Sequence, residues 1–218
     1  MKARYYGLAA LMVEAAAGAF FYLLPALPGQ VPVHWNLHGE VDRLGSPWML
    51  FALGPVLMAA TMALFAVMPW FSPRHFEVDD SLRTYLNLML ILVGVFGYLF
   101  AVTLWAAVNG PVGTDRSIVG GLCVLAVLLG NLLGKVRRNF FIGIRTPWTL
   151  ASHKVWHATH RFAGRVLVVT GLVALAALLA GLAPWISTAL VIAGFLVPVI
   201  YSLWRYKDLQ RRGELDAA

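Results

Sequence analysis

Hydrophobic residues in this 218-residue chain fall into six long blocks separated by short polar stretches. The blocks cover residues 5–27, 48–70, 84–108, 117–134, 164–183 and 185–204. Each is close to the ~20 residues that a helix needs to cross about 30 Å of hydrocarbon. The pattern therefore predicts an all-α integral membrane protein with six transmembrane helices.

The polar stretches between the blocks divide the chain into five parts. These are the first two spans with the loop between them (1–70), spans three and four (71–134), a basic segment (135–163), spans five and six (164–204) and a polar tail with a frayed end (205–218).

Composition supports a membrane location, because 60% of the residues are hydrophobic and 12% are charged. A soluble domain carries about 25% charged residues. The net charge of +7 indicates membrane lipids as partners, since basic residues beside apolar spans meet anionic head groups. No soluble module is present to hold a nucleic acid, so direct nucleic-acid binding is not expected.

The positive charges predict the orientation of the chain. If the N-terminus is cytoplasmic, every Lys and Arg except Arg43 and Arg116 falls in a cytoplasmic segment. Cytoplasmic loops carry the excess of Lys and Arg in membrane proteins. We therefore expect both termini inside, in the plasma (inner) membrane of a bacterium, and the loop between spans one and two outside.

The basic segment begins a longer interval, 135–165, that holds seven cations and no acid. Within it, Thr146 followed by Pro147 is typical of a helix start. Lys154, His157 and Arg161 recur at spacings of three and four, which places them on one helical face. We predict an amphipathic helix that lies in the inner interface and runs into span five. Lipid contact explains this cationic face, and a docking surface for a cytosolic protein is the alternative.

Glu14 is the only acid inside a predicted span. A carboxylate is costly at that depth, so we expect it to face the interior of the bundle, paired or protonated. Two interpretations stay open: a proton or cation site, or a neutral carboxylic acid hydrogen-bonded to a neighbouring helix.

Elsewhere, Gly130 and Gly134 form a GxxxG pattern in span four that predicts close helix packing.

The outer loop contains zinc-ligand residue types, namely His34, His38, Glu40 and Asp42. Their spacing fixes no third ligand, and Gly39 favours a turn. We therefore favour a hydrogen-bonded turn in which Asn36 and Asp42 tie down the backbone and Trp35 lies at the interface. A metal-dependent membrane enzyme that uses the four candidates is an alternative. No cofactor is predicted.

Two stretches resemble the SdpI family of bacterial membrane immunity and signalling proteins. The first is Pro32-Val33-His34-Trp35-Asn36 with Gly39 and Asp42, which looks like the family's small N-terminal domain of unknown function. The second is Asn139 to Leu150, NFFIGIRTPWTL, with Trp156, His160 and Gly164, which looks like its second signature. The resemblance covers nearly the whole chain.

The resemblance implies a polytopic protein that protects its cell from a secreted hydrophobic peptide toxin. In the best-known member, toxin engagement also lets the protein hold a winged-helix repressor at the membrane. We therefore favour a receptor-like protein over an enzyme, and a small-solute or proton-coupled transporter centred on Glu14 is the second hypothesis. The ligand and signalling residues we predict are Glu14, His34, Trp35, Asn36, Gly39, Asp42, Asn139, Arg145, Thr146, Pro147, Trp148, Trp156 and His160.

Overall fold

The computed structural model describes residues 1–36, 40–71, 82–139 and 141–216. Its helices are α1 (Lys2–Leu23), α2 (Pro47–Phe51), α3 (Leu57–Val67), α4 (Leu82–Asn109), α5 (Thr114–Leu133), α6 (Pro147–Ala151), α7 (His153–Leu179) and α8 (Pro184–Arg211). Its strands are β1 (Val31–Trp35) and β2 (Val41–Gly45). The described residues contain six helical segments long and apolar enough to cross a membrane, which confirms the predicted number of spans.

The second span, Pro47–Phe71, is assembled from several short pieces. A π-helical turn, Ala52–Val56, separates α2 from α3, and Pro55 lies inside it. Because proline has no backbone N–H, it removes one donor from the regular ladder and widens the helix there. Gly54 in the same turn lies against the ring of Phe100, so the irregular turn lets the second span approach α4 closely.

The helices bury two connected hydrophobic cores. The first joins α1, α3 and α4 through residues such as Phe20, Met58 and Met89, and it extends to Trp156 of α7. The second joins α5, α7 and α8 around Cys123, Ala126, Leu167, Ala174 and Val191. Because α4 also packs on α5, the two groups of helices form one bundle.

The helices α5 and α7 meet at glycines. A Cβ atom on Gly130 would lie 2.8 Å from both the carbonyl oxygen of Gly164 and the amide nitrogen of Val168. A Cβ atom on Gly134 would meet no atom within 4 Å. The predicted close packing is therefore confirmed: Gly164 of α7 lies opposite Gly130, and a Cβ atom on Gly164 would also lie 3.4 Å from the Gly134 amide nitrogen.

The loops gather at two ends of the bundle. At one end, which we name the hairpin end, the guanidinium of Arg116 donates to the carbonyl oxygens of Leu178 and Gly181, so the loop before α5 meets the loop after α7. The segment from 134 to 152 and the C-terminal residues meet at the other end, which we name the basic end. Which end faces the cytoplasm remains a prediction from charge.

The loop after α1 adds a two-stranded antiparallel hairpin to the helical bundle. Val31 pairs with Gly45 and Trp35 pairs with Val41, with irregular register on either side of His34. The predicted turn therefore falls between two paired strands, and residues 37–39 lie outside the described part of the chain. The β-branched valines and the tryptophan that favour strands stand in these two segments.

The helix predicted to begin at residue 147 is divided at Ser152, whose extended backbone separates α6 from α7. Lys154, His157 and Arg161 are exposed on one face of α7, as their spacing predicts. The opposite face, however, is buried against α5 and α8 within the bundle. These turns are therefore continuous with the fifth span, as predicted, and their position at the inner interface of the membrane stays a prediction.

Candidate functional site

Glu14 lies on the outer surface of the bundle. The buried residues of α1 are Ala9, Ala16 and Phe20, which share one face. At 100° per residue, Glu14 is turned about 140° away from Ala9, and its side chain is exposed. The expectation that it faces the interior is wrong, and Glu14 lines none of the cavities among the described residues.

Side chains of the hairpin pair with each other beside its tip. His34 Nδ1 lies 2.6 Å from Asp42 Oδ1. Asn36 Nδ2 donates to Glu40 Oε2 at 2.9 Å, and Asn36 Oδ1 accepts from the Glu40 backbone N–H at 3.0 Å. Asn36 therefore ties the hairpin as predicted, whereas Asp42 pairs with an imidazole rather than with backbone. Gly39 lies outside the described residues.

The hypothesis of a metal-dependent enzyme depends on four candidate ligands. Those that the structure describes do not form one cluster. His34 pairs with Asp42, and Glu40 pairs with Asn36. His38 falls in the undescribed tip. Over the described ranges, no group of three His, Cys, Asp or Glu side chains is placed to hold a metal ion.

A cavity of about 380 Å³ lies beneath the hairpin, and we name it the hairpin cavity. Its polar lining includes His34, Trp35 and Asn36 from the hairpin and Asp115 from α5. Trp35 Nε1 is buried and has no hydrogen-bond partner among the described residues. This combination of apolar walls with a few polar groups is typical of small ligand sites.

Two other cavities differ from the hairpin cavity in chemistry. One of about 660 Å³ lies along α1 and α4, and one of about 460 Å³ lies between α4 and α5. Their linings are apolar, apart from the Tyr98 hydroxyl, the Asn109 amide and the Trp105 indole. The first two donate to the carbonyl oxygens of Ser117 and Trp105, and the Trp105 side chain is exposed. Neither cavity is lined by a buried polar group that the structure leaves without a partner.

At the basic end, the side chain of Asn139 organises the loop that follows α5. It is buried, and its Nδ2 donates to the carbonyl oxygens of Arg137 and Ile142 at 2.9 and 3.2 Å. Its Oδ1 accepts from the backbone N–H groups of Phe141 and Ile142 at 2.8 and 2.7 Å. The Asn139 side chain therefore supplies the hydrogen-bond partners that the backbone of this loop lacks. Its two N–H donors and its oxygen are all used within the loop, so none is left to bind a ligand.

His160 connects that loop to α7. Its Nε2 accepts from the Ile144 backbone N–H at 2.9 Å, and its Nδ1 lies 2.8 Å from the Trp156 carbonyl oxygen. An acceptor at Nε2 and a donor at Nδ1 together require the neutral ring with its proton on Nδ1. The Trp156 ring stacks on this imidazole, and its Nε1 donates to the Val136 carbonyl oxygen at 2.9 Å.

Thr146, Pro147 and Trp148 position α6. Thr146 and Thr149 form a reciprocal capping box, and Pro147 occupies the first turn. Trp148 Nε1 donates to Ser202 Oγ at 2.7 Å, which fixes α6 on α8. Among the predicted residues of this signature, Arg145 and Pro147 are exposed, whereas Asn139, Trp156 and His160 are buried.

The C-terminal tail docks on the first turn of α7, which sequence reasoning missed. The Asp216 carboxylate accepts from the Ser152 hydroxyl and from the backbone N–H groups of His153 and Lys154. Burial alone would raise the pKa of Asp216, but these hydrogen bonds hold that pKa below its ordinary value. An acidic tail beside a basic segment was the signal available, since carboxylates are stabilised at helix N-termini.

The fold and these sites define a class: a polytopic helical membrane protein with a hairpin at one end and a hydrogen-bonded basic segment at the other. Known sequences place the chain more narrowly. The SdpI/YfhL protein family matches residues 135–202, and a domain of unknown function, DUF1648, matches residues 11–59. The immunity protein SdpI of Bacillus subtilis (strain 168) is 31% identical over 147 residues, which are 67% of this chain and 68% of that protein.

The chain therefore belongs to the SdpI/YfhL protein family, and it is a multi-pass protein of the bacterial plasma membrane. No solved structure matches it. The first matched region contains Glu14 and the hairpin, and the second contains the Asn139 loop, α6 and most of α7 and α8.

Proposed function

We propose that this protein is a receptor-like immunity protein that protects its cell from a hydrophobic peptide toxin. The observation that carries the proposal is its relationship to the immunity protein SdpI, which covers about two thirds of both chains. The hairpin cavity supports the proposal, because it combines apolar walls with a buried donor at one end of the bundle. An apolar peptide that approaches along the membrane surface would reach it.

The two alternative functions have less support than the immunity proposal. A transporter centred on Glu14 needs that carboxylate inside the bundle, and it is exposed on the opposite face of α1. A metal-dependent enzyme needs a cluster of ligands, and the described hairpin residues are engaged in pairs. We expect neither proton-coupled flux nor metal-dependent catalysis from the described residues.

Deletion of the gene tests the immunity proposal in the source bacterium. We expect the parent strain to secrete the toxin, so the deletion strain should be killed when the two are grown together, and a plasmid copy should restore survival. The measurement is the ratio of deletion to parent colonies through exponential and stationary phase. A deletion strain that keeps its share of the culture in every phase would show that the protein is not an immunity protein.

We further propose that the basic end carries the signal to a cytosolic winged-helix repressor. The exposed cations of α7 face away from the bundle, and Arg145 is exposed beside the capping box. A protein with an acidic surface is the partner that such a face attracts. The buried signature residues Asn139, Trp156 and His160 would then act by holding this surface in shape.

Replacing Arg145 with alanine should impair the signal without impairing insertion. We expect induction of the protein's own gene by the toxin to fall by at least about tenfold, the effect of losing a contact worth about 1.4 kcal/mol. Arg43→Ala is the matched control, because it removes an exposed arginine from the hairpin end. Transcript level and membrane abundance are measured together. Equal induction in wild type and Arg145→Ala would contradict this role.

A further inference from the structure

The hairpin cavity contains a donor that lacks an acceptor. Trp35 stands at the end of β1, and its Nε1 is buried with no hydrogen-bond partner among the described residues. Buried polar groups in native proteins are nearly always paired, with protein, water or ligand. Because Trp35 lines the hairpin cavity, a bound molecule that displaces its ring slightly can supply the missing acceptor.

The same cavity contains a carboxylate without a counter-charge. Asp115 lines it from the first turn of α5, and none of its contacts among the described residues is an ion pair. The neighbouring Arg116 donates to the carbonyl oxygens of Leu178 and Gly181. His34, the other ionisable group of the lining, is engaged by Asp42.

Most other polar groups of the lining are already matched. Thr103 and Thr188 donate to the carbonyl oxygens of Phe100 and Pro184, and the Asn36 amide is engaged by Glu40. The Trp185 indole also lines the cavity, but that side chain is exposed. The buried donor without a partner is therefore Trp35 Nε1, and the carboxylate without an ion pair is the half-buried Asp115.

We propose that the hairpin cavity binds an apolar peptide through an ammonium group, which pairs with Asp115, and a carbonyl oxygen, which accepts from Trp35 Nε1. This inference rests on the proposed function and names the chemistry by which the toxin is recognised. An aminophospholipid also carries an ammonium group, but its phosphate would need a cation. The cation beside this cavity, Arg116, already donates to carbonyl oxygens, and the His34 ring is paired with Asp42.

Binding of synthetic peptides to the full-length protein in detergent micelles tests the inference. The probe is an alternating leucine–alanine heptapeptide with a fluorophore at its C-terminus. It is prepared with a free amino terminus, with an acetylated one, and with an acetylated one plus a single lysine. Anisotropy should show that an ammonium strengthens binding at least about tenfold over the acetylated peptide without lysine. Comparison of the two ammonium-bearing peptides shows whether the cavity prefers an amino terminus or a lysine side chain.

Variants assign the effect to the cavity. Asp115→Asn should remove the preference for an ammonium, whereas Glu214→Gln, which neutralises an exposed acid at the basic end, should keep it. Trp35→Phe should weaken all three peptides by a similar factor, since it removes the donor and keeps the ring. Thermal unfolding of each variant confirms that it is folded. The proposal is overturned if the acetylated and free peptides bind with equal affinity, or if Asp115→Asn keeps the preference for an ammonium. It is also overturned if phosphatidylethanolamine displaces the bound peptide equally well whether or not that peptide is acetylated.

Complementation separates this inference from the immunity proposal. In the deletion strain, plasmid-borne Asp115→Asn should protect at least about tenfold less than Glu214→Gln at equal abundance. If the deletion strain is sensitive and Asp115→Asn protects fully, the immunity role stands and the cavity is not the recognition site. If the deletion strain is not sensitive, the immunity proposal itself fails.

Discussion

Replacing Gly130 with alanine is expected to destabilise the protein by about 1–3 kcal/mol, the usual result of overpacking a close contact. The added Cβ would lie 2.8 Å from the Gly164 carbonyl oxygen and from the Val168 amide nitrogen. Both are backbone atoms, which cannot rotate aside as a side chain does. The helices α5 and α7 must therefore separate, and the core that they share with α8 must loosen. Thermal unfolding of the purified protein in detergent measures the loss.

Gly134→Ala provides the matched control, because it lies one turn further along and an added Cβ would meet no atom within 4 Å. We expect its free energy of unfolding to stay within about 0.5 kcal/mol of wild type, as for most exposed substitutions. Equal losses in the two variants would contradict the role of the contact with Gly164, because the higher helix propensity of alanine would by itself stabilise both.

The spans could be predicted from the sequence because their signal is local. Length and hydropathy are properties of each block alone, and all six blocks correspond to spans. Their limits were less accurate: α7 begins at His153 and α8 continues to Arg211, both well beyond the predicted apolar blocks. A helix extends past its hydrophobic section when polar residues such as Ser152 can cap it.

The direction of a side chain could not be predicted in the same way. The position of Glu14 in the first span gives its depth, but only the neighbouring helices decide which face is buried. The small Ala9 and Ala16 allow α4 to approach, and Phe20 fills the first core, so Glu14 is left on the far side. The cost of placing a charge in the membrane predicts that a carboxylate has a partner, but it does not indicate on which side of the helix that partner lies.

The signature of the basic segment was read as a ligand or signalling site, and most of it proves to be internal support. Asn139 and His160 bond to the backbone of the loop, and Trp156 bonds to Val136 beside it. These partners are backbone groups, which no residue pattern reveals. Asp115 was missed because a single acid at a span end is typical of a solvated turn, and only the fold places it in a cavity.

Replacing Gly143 with alanine is expected to cost more than replacing any other glycine in a turn of this protein. Gly143 has φ of +110°, a conformation that L-residues rarely adopt, and that strain alone is worth about 1–3 kcal/mol. An added Cβ would also overlap His160 Nε2, the atom that accepts from the Ile144 N–H. Displacing the ring leaves a buried donor unpaired, at a further cost of about 1–3 kcal/mol. Thermal unfolding and protection of the deletion strain should therefore both fall.

Gly110→Ala separates the two costs, because Gly110 has φ of +95° and no atom within 4 Å of an added Cβ. Its loss of stability should reflect strain alone and be about half that of Gly143→Ala. The contribution of His160 is isolated by a double-mutant cycle. In a His160→Ala background the overlapping ring is absent, so Gly143→Ala should cost no more than Gly110→Ala. If Gly143→Ala keeps its full cost in that background, the imidazole is not what requires glycine at this turn, and backbone strain alone explains it.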